Sequence, residues 1–464
     1  MANIRKIENK SGTSYKITVA HGRDSNGKQL RHYLTWTPPA KMTERQTAKE
    51  LNNIAVDFEQ KIIKGFDADN RQKFADYADY VLSLKEREGK KHRTLERYRE
   101  LLTRINPAIG HKKIIDIRPM HLNDFYKNLG ESGIRIGSER ATAKVDIAAM
   151  LKEQKLTRIR LAEMAQIAPA TVTTAIQGKR VNKSVADALA GVLGRGTRDL
   201  FTIEANNEPL SVKTILEHHR LISTILKQAE IEMIVEYNAA TKATPPKLPQ
   251  QQEIESFQPE EIKAIRAALE LEPLKWRVIV HLLLITGCRR GEVAGLQWSR
   301  IDWSKNQIKI DRALLYSRTK GVYEDTTKTS TTRFIKLPIE TMQLLREYKM
   351  WYTELQLKNG DRWIKSDYLF VKDDGSEMHP DSITDYLGKF AERHGLPHIN
   401  PHKFRHTHAS LLIAKGVDVV TVSKRLGHAK VSTTSDIYSH AIQQADEGAS
   451  ECIADALLRD SSAG

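Results

Sequence analysis

The sequence predicts a mainly helical α+β chain divided into several domains, and three observations lead there. The chain has 464 residues, which at roughly 150 residues per domain suggests about three domains. Hydrophobic residues make up 40% and charged residues 28%, enough apolar material for real cores and too much for a broadly disordered chain. Period-two alternation is read before Pro38, Gln307 to Ile310 and Arg333 to Leu337 read as short strands flanking Lys328, and helical periodicity is read in most segments between.

The balance of charge narrows the function. Lys plus Arg number 73 against 58 Asp plus Glu, a formal charge of +15. That excess favours a polyanionic partner, most often nucleic acid. The most apolar stretch, Val278 to Ile285, contains His281 and falls far short of the ~20 residues that span a bilayer. No membrane is expected as a partner. The start, MANIRKIENK, has no apolar signal core. Cys288 and Cys452 are too few for a disulfide framework or a thiolate zinc site. A reducing, cytoplasmic and nucleoid-associated setting is expected.

Residues 1–68 read as a small sheet followed by a helix. Tyr15, Ile17 and Val19 alternate with Lys16 and Thr18, and Leu30, His32, Leu34 and Trp36 with Arg31, Tyr33 and Thr35. Asn26-Gly27 is a hairpin signal between them. After Pro38-Pro39, Thr43 can cap a helix whose stripe is Leu51, Ile54, Phe58 and Ile62. The opposite sheet face would then show Lys16, Arg31 and Tyr33. Gly22 to Lys28 reads G-x-x-x-x-G-K, but Gln29 stands where Ser or Thr should bind magnesium and strands lie on both sides, so a plain hairpin is expected.

Residues 72–137 read as three helices. Phe74, Tyr77, Ala78, Val81 and Leu82 mark the first. The second follows a cap-like Thr94, with Leu95, Tyr98, Leu101, Leu102 and Ile105. The third starts near Pro119 and runs through Leu122, Phe125, Tyr126 and Leu129. Arg93 and Arg97 are candidate phosphate contacts here. Residues 205–247 continue this helical region, with Ile215, Leu216, Leu221, Ile222, Ile225 and Leu226. Thr241 to Pro249, with three prolines, reads as an extended linker.

Residues 138–204 interrupt those two stretches as a unit of their own. Ile147, Leu151, Leu161, Ala162, Met164 and Ala165 are helically spaced; Ala168-Pro169 breaks the run, and a short helix, Ala170 to Gln177, ends at Gly178. LAEMAQIAPATVTTAIQGKR and the trailing LAGVLGRGTRDLF resemble the helix-turn-helix domain of phage repressors. A short helix showing Thr171, Thr173 and Thr174 can lie in a major groove, with Lys179 and Arg180 at its end for phosphate. A helical spacer without base contacts is the plainer reading.

Residues 254–464 hold the strongest pattern, opening at the helix start Gln258-Pro259-Glu260-Glu261. In order stand TGCRRGEVAGLQW from Thr286 to Trp298, TKTSTTRFIKLP from Thr327 to Pro338, HKFRHTHAS from His402 to Ser410, and LGHAKVSTTSDIYSH from Leu426 to His440. These motifs resemble the catalytic domain of the tyrosine recombinases, the phage-integrase family, and the match gives Arg289, Lys328, His402, Arg405, His428 and Tyr438.

The chemistry independently needs these residue types. A phosphodiester under attack gathers charge on its non-bridging oxygens, which two guanidiniums, Arg289 and Arg405, can clamp with forked hydrogen bonds. A tyrosine hydroxyl with a pKa of ~10 needs charge stabilisation and a proton acceptor; Tyr438 is the candidate nucleophile and His402 the base. Lys328 can protonate the leaving 5′ oxygen, and His428 would hydrogen-bond the phosphate. Glu292, three residues after Arg289, braces the site by resemblance. No cofactor is expected: the bond energy stays in the protein–DNA ester, so no ATP is needed, and the arginines replace a metal as the electrophile. His402, His406 and His408 have no metalloprotease Glu and no nearby cysteine, so zinc is not expected. Cys288 reads as packing.

The resemblance implies more. RTLERYRELLTRI, HLNDFYKNL and SVKTILEHHRLISTILKQAEIEMIVEYNAA look like the family's core-binding domain, with Asn238-Ala239-Ala240 in place of the usual Asn-Pro-Ala. The N-terminal sheet looks like the arm-binding domain of larger integrases. The helix-turn-helix inside the core-binding domain departs from the family's common pattern. The implied partners are double-stranded DNA attachment sites and three further copies of the chain, with an excisionase and a host DNA-bending protein as candidates. The apolar tail Ala441 to Leu458 would dock on a neighbouring subunit or pack on its own domain. Two rival functions are a DNA-binding regulator with relic catalytic residues and a type IB topoisomerase.

Overall fold

The computed structural model describes residues 2–9, 12–23, 27–39, 42–63, 72–133, 135, 139–205, 208–249, 256–328 and 331–437. The chain divides into two compact units, Met1–Gln250 and Gln251–Gly464.

The first unit opens with β1 (Asn3–Asn9), β2 (Gly12–Arg23) and β3 (Gln29–Trp36), an antiparallel sheet in chain order. Alternation sends Ile17 and Val19 to one face, where they meet Leu51, Ala55, Phe58 and Ile62 of α1 (Glu44–Ile63). Thr43 caps that helix reciprocally. Its Oγ1 accepts the Gln46 N–H at 3.3 Å, and the Gln46 side chain accepts the Thr43 N–H at 3.0 Å. Gly22 to Lys28 joins strand to strand, with Gly27 at φ 78°; Asn26 lies outside the described residues.

Next come α2 (Phe74–Arg87), α3 (His92–Ile105) and α4 (Pro119–Leu129). The second helix starts earlier than its Thr94 signal. Gly89, at φ 77°, ends the preceding turn, and the chain re-enters helix at once from Lys91, so Thr94 sits inside the first turn with its N–H on the Lys91 carbonyl at 2.9 Å.

The inserted stretch holds β4 (Arg140–Ala143), α5 (Ile147–Glu153), α6 (Arg158–Met164), α7 (Pro169–Ile176), β5 (Val181–Asn182), α8 (Lys183–Val192), α9 (Thr197–Leu200) and β6 (Phe201–Glu204). Asp146 and Thr157 cap α5 and α6. The segment has its own core, in which Ile147, Leu151, Leu161, Val172, Leu189 and Phe201 meet. A small sheet, ordered β5-β4-β6, was not legible in the sequence. It pairs Arg140 with Glu204 and Ala143 with Phe201, which brings the entry and exit of the insert side by side.

The helix α10 (Val212–Ile231) then returns to the first three helices. Ile222 and Ile225 join Phe74, Tyr77, Ile105 and Leu122 in one core. Asn238 fixes the ending: its Nδ2 donates to the Ser223 carbonyl at 3.0 Å and its Oδ1 accepts the Ala240 N–H at 3.0 Å.

The second unit runs α11 (Pro259–Leu269), α12 (Leu274–Thr286), α13 (Arg290–Ala294), β7 (Ile301–Asp302), β8 (Gln307–Ile310), β9 (Arg312–Ser317), β10 (Gly321–Thr326), β11 (Arg333–Lys336), α14 (Ile339–Asn359), α15 (Asp381–Arg393), α16 (Pro401–Ala414), α17 (Val419–Leu426) and α18 (Ser432–Ile437). The strands form a sheet ordered β11-β8-β7 and a separate β9–β10 hairpin. The two stretches expected to flank Lys328 do pair, as β8 and β11. They are not its immediate flanks, because the β9–β10 hairpin intervenes and Lys328 lies on the connection from β10 to β11. Gly291 and Gly295 let α13 press on β9: a Cβ at either would sit 2.7 Å from the Leu314 backbone. Among the described residues, no helix is long and apolar enough to cross a membrane.

Candidate active site

The site begins where α12 stops. Gly287 adopts φ 62°, and a Cβ there would lie 2.7 Å from the His408 ring, so only glycine fits both the turn and the space. The chain then extends through Cys288 and Arg289 into α13. Glu292, 2% exposed, reaches back to accept the Arg289 N–H at 2.9 Å and Arg289 Nη1 at 2.9 Å. It thus holds both the backbone and the side chain of Arg289. Burial alone would raise the Glu292 carboxyl, but the charge and hydrogen bonds of Arg333, then Arg289, outweigh it and hold the group below the usual carboxylate range.

Arg405 comes from α16 and is 4% exposed. Its Nη1 donates to the Gly287 carbonyl and its Nη2 to the Leu426 carbonyl, both at 2.8 Å. Two backbone carbonyls hold this guanidinium. Burial, then the neighbouring Arg289, push its pKa down to about 10. The helix α17 ends at Gly427, φ 70°, whose carbonyl lies 3.4 Å from Arg289 Nη2. The turn delivers His428, whose Nδ1 is 2.8 Å from Thr434 Oγ1. Burial, then the charges of Arg405 and Arg289, pull His428 down to about 4.

His402 sits in the first turn of α16, three residues before Arg405, where Asn400 caps the helix by accepting the Lys403 N–H at 2.9 Å. Desolvation lowers its pKa first, followed by the charges of Arg405, Arg289, Arg290 and Lys328. The histidine is therefore neutral at pH 7, as a proton acceptor must be. Lys328 is exposed on its connection. Arg289, Arg405, His402 and His428 thus meet in one field, brought there by the start of α13, by α16 and by the turn after α17. Tyr438 lies outside the described residues, directly after α18, as does the tail Ala441 to Leu458.

Two further histidines, His406 and His408, lie on α16. His408 Nδ1 faces the Leu284 carbonyl at 2.9 Å, and its Nε2 accepts from Arg425 Nε at 3.2 Å. The His402 and His406 rings stand 6.4 Å apart. Among the described residues, no group of three or more His, Cys, Asp and Glu could hold a metal ion.

Arg333 was missed. It is 8% exposed; its Nη2 donates to Glu292 Oε2 at 2.5 Å and its Nε to the Arg425 carbonyl at 2.9 Å. Its signal was parity: Arg333 shares the inward face of β11 with Ile335, while Phe334, 60% exposed, points out.

The candidate DNA contacts are placed unevenly. Lys16 lies with its Nζ 4.2 Å from the Tyr33 ring centre, on the sheet face away from α1, and Arg31 is exposed on the same face. Arg93 and Lys179 are exposed. Arg97 is paired with Glu217 at 2.6 Å and Glu100 at 2.9 Å, and Arg180 with Glu204 at 2.9 Å, so both of these candidate phosphate contacts are engaged by carboxylates. Thr171, Thr173 and Thr174 are half-buried on α7. The hydroxyls of Thr173 and Thr174 donate to the Pro169 and Ala170 carbonyls, at 3.1 Å and 2.9 Å, which leaves their oxygens as acceptors.

Comparison with known proteins now bears on this geometry. Residues 255–445 match the phage integrase family, and residues 74–130 match the phage integrase N-terminal SAM-like domain. A tyrosine recombinase XerC-like protein of Caldanaerobacter subterraneus is 30% identical over 265 residues, covering 53% of this chain and 67% of that protein. The ICEBs1 integrase of Bacillus subtilis is 28% identical, covering 50% of this chain and 62% of its own length. Transposase A from transposon Tn554 of Staphylococcus aureus is 31% identical, covering 41% of this chain and 50% of its own length. In fold, the chain is similar to the Tn1549 transposon integrase in complex with a circular intermediate DNA, with a TM-score of 0.54 and 16% identity over 82% of this chain and 99% of that one. By its matched domains and by a relative covered over two thirds of its length, the chain belongs to the phage integrase family of tyrosine recombinases.

Proposed function

We propose that the protein is a site-specific DNA recombinase, the integrase of a mobile element. The observation that carries this is the meeting of Arg289, Arg405, His402 and His428 in one cation-rich field assembled from separate elements. In the reaction, Tyr438 attacks the scissile phosphorus and breaks the P–O5′ bond. A 3′-phosphotyrosyl ester forms and a 5′ hydroxyl leaves. Arg289 and Arg405 clamp the non-bridging oxygens, His402 takes the tyrosyl proton, and Lys328 protonates the leaving oxygen. Thr434 sets the tautomer of His428: when its hydroxyl donates to Nδ1, the neutral ring carries its proton on Nε2 and donates it toward the phosphate. Attack by a 5′ hydroxyl from a second duplex reverses the step and joins the strands, with no net consumption of ATP.

The arm sheet, through Lys16, Arg31 and Tyr33, and the insert, through α7 and Lys179, add contacts away from the crossover. The helical segments around Arg93 hold the core DNA. Four copies act on two DNA sites, with an excisionase and a host DNA-bending protein setting direction. The mobile-element relatives support this reading, as does the charge of +15.

A nicked duplex carrying the protein's own crossover, recovered by covalent capture from random-sequence DNA, tests the proposal. The expected result is a denaturant-stable protein–DNA adduct, mapped by mass spectrometry to Tyr438 and formed equally well with chelator present. Binding without any adduct would favour a regulator, and relaxation of supercoils without joining of two duplexes would favour a topoisomerase.

A further inference from the structure

We infer that Arg333 is a positioning residue for strand cleavage: by sharing Glu292 with Arg289, it keeps the Arg289 guanidinium turned toward the phosphate. The inference rests on the recombinase reading of the site.

The count of donors carries it. An ionised carboxylate offers about four lone-pair directions, and all four of Glu292 are taken. Oε1 receives Arg289 Nη1 at 2.9 Å and Arg333 Nη1 at 3.3 Å; Oε2 receives the Arg289 N–H at 2.9 Å and Arg333 Nη2 at 2.5 Å. Glu292 therefore holds the Arg289 guanidinium by one prong, while Nη2 makes a long bond of 3.4 Å to the Gly427 carbonyl, and the side chain keeps 21% exposure. Arg333 has no such freedom. Its Nε is on the Arg425 carbonyl, its Nη2 is also 3.5 Å from Cys288 Sγ, and its side chain is 7% exposed. It faces the protein and not the solvent.

Without Arg333, a buried carboxylate would keep one partner and two empty lone-pair directions. Such a group is costly unless it finds donors, and the nearest flexible donor is the second prong of Arg289. A forked Arg289–Glu292 pair would neutralise the cation that the phosphate needs and turn it inward. Arg333 also ties β11 to the end of α17, two residues before Gly427. A Cβ at Gly427 would lie 2.9 Å from Arg333 Nη1, so the turn that carries His428 is built against this guanidinium.

The test compares two scissile groups in the nicked duplex, an ordinary phosphodiester and a methylphosphonate, which lacks the non-bridging anion and asks less of Arg289. Arg333→Met should slow adduct formation roughly 10²-fold on the phosphodiester and markedly less on the methylphosphonate. Arg333→Lys, which keeps the buried charge without the fork, should fall between. Adding Glu292→Gln to Arg333→Met should recover about tenfold of the loss, because the unpaired carboxylate is gone. Equal losses on both substrates would mean a merely structural role and overturn the inference, as would Arg333→Lys cleaving the phosphodiester at the wild-type rate. Should Arg333→Met fail to fold, the two rates of Arg333→Lys decide alone. A wild type that forms no adduct on either duplex would instead remove the recombinase reading.

Discussion

Charge is handled in opposite ways in the carboxy-terminal unit and in the insert. In the former, Arg405, Arg333 and Glu292 are 4%, 8% and 2% exposed; carbonyls hold Arg405, and Glu292 accepts from Arg333 and Arg289. In the insert, the core is aliphatic with one phenylalanine, and among its described residues no polar side chain is buried. Its cations stand outside, and those that pair, such as Arg180 and Lys183, pair with exposed carboxylates. The difference fits the tasks proposed for the two regions. Stabilising charge that exists only in a transition state rewards donors fixed beforehand in a dry site. Following a phosphate backbone rewards cations that move and release counterions.

The largest effect should come from the nucleophile. Tyr438→Phe should bind DNA as the wild type does and form no adduct; an adduct persisting in that variant would place the nucleophile elsewhere. Arg405→Lys comes next. One ammonium cannot hold both the Gly287 and Leu426 carbonyls while forking a phosphate, so cleavage should fall roughly 10²- to 10³-fold with DNA affinity little changed. An equal fall in affinity would make Arg405 an ordinary phosphate contact and weaken the contrast.

The insert should behave the other way. Its ends are joined by the β4–β6 pairing, so replacing residues 140–202 with a short linker should leave the host helices intact. Affinity for an extended site should fall roughly 10²-fold as one linked binding module is lost, with a shorter footprint, while cleavage of the bare crossover persists. An unchanged footprint would make the insert a spacer.

Sequence and structure agree most where chemistry dictates local context. Arg289, His402, Arg405 and His428 each sit in a motif whose glycine or helix cap is itself visible, and the four share one electrostatic field. Thr43 and Pro119 start their helices because caps act within four residues. What escaped reading depends on distant pairing. Arg333 looks like one more basic residue until Glu292, 41 positions away, is seen to meet it. The strands β4 and β6 are too short to show a period and exist because the ends of the insert pair. The pairing of β8 with β11 was expected to flank Lys328 directly, but a hairpin intervenes in the chain, so Lys328 follows β10 instead. The pairings of Arg97 with Glu217 and of Arg180 with Glu204 escaped because those carboxylates lie far along the chain, whereas Glu100, three residues from Arg97, was within local reach.

Acid should separate the two regions. His406, His408 and His428 are each pulled down to about 4, mainly by burial. The unfolded chain therefore binds more protons than the folded one between about pH 6.5 and 4, and stability falls as pH drops through that window. For the buried His408 alone, the span from ~6.5 to about 4 corresponds to on the order of 3 kcal/mol. The insert contains no histidine. Thermal melts between pH 7 and 4 should show the carboxy-terminal unit weakening first, and His408→Gln should flatten its slope. A slope unmoved by that change would assign the acid sensitivity to carboxylates.

The smallest effect tests the exposed cations themselves. Arg97 links α3 to α10 through Glu217, with side chains 45% and 34% exposed. A pair so open to water contributes at most ~1 kcal/mol, so Arg97→Gln should barely move the melting temperature. Its value would lie on DNA, where Arg97 must leave Glu217 to reach a phosphate. Losing one such contact should lower the slope of log affinity against log salt by about 0.9, with no change in the cleavage rate of bound DNA. An unchanged slope would leave Arg97 as an internal cross-link and move the core contacts to Arg93. A changed cleavage rate would mean that this surface, too, positions the reacting strand, and the division between fixed and mobile charge would no longer follow the two regions.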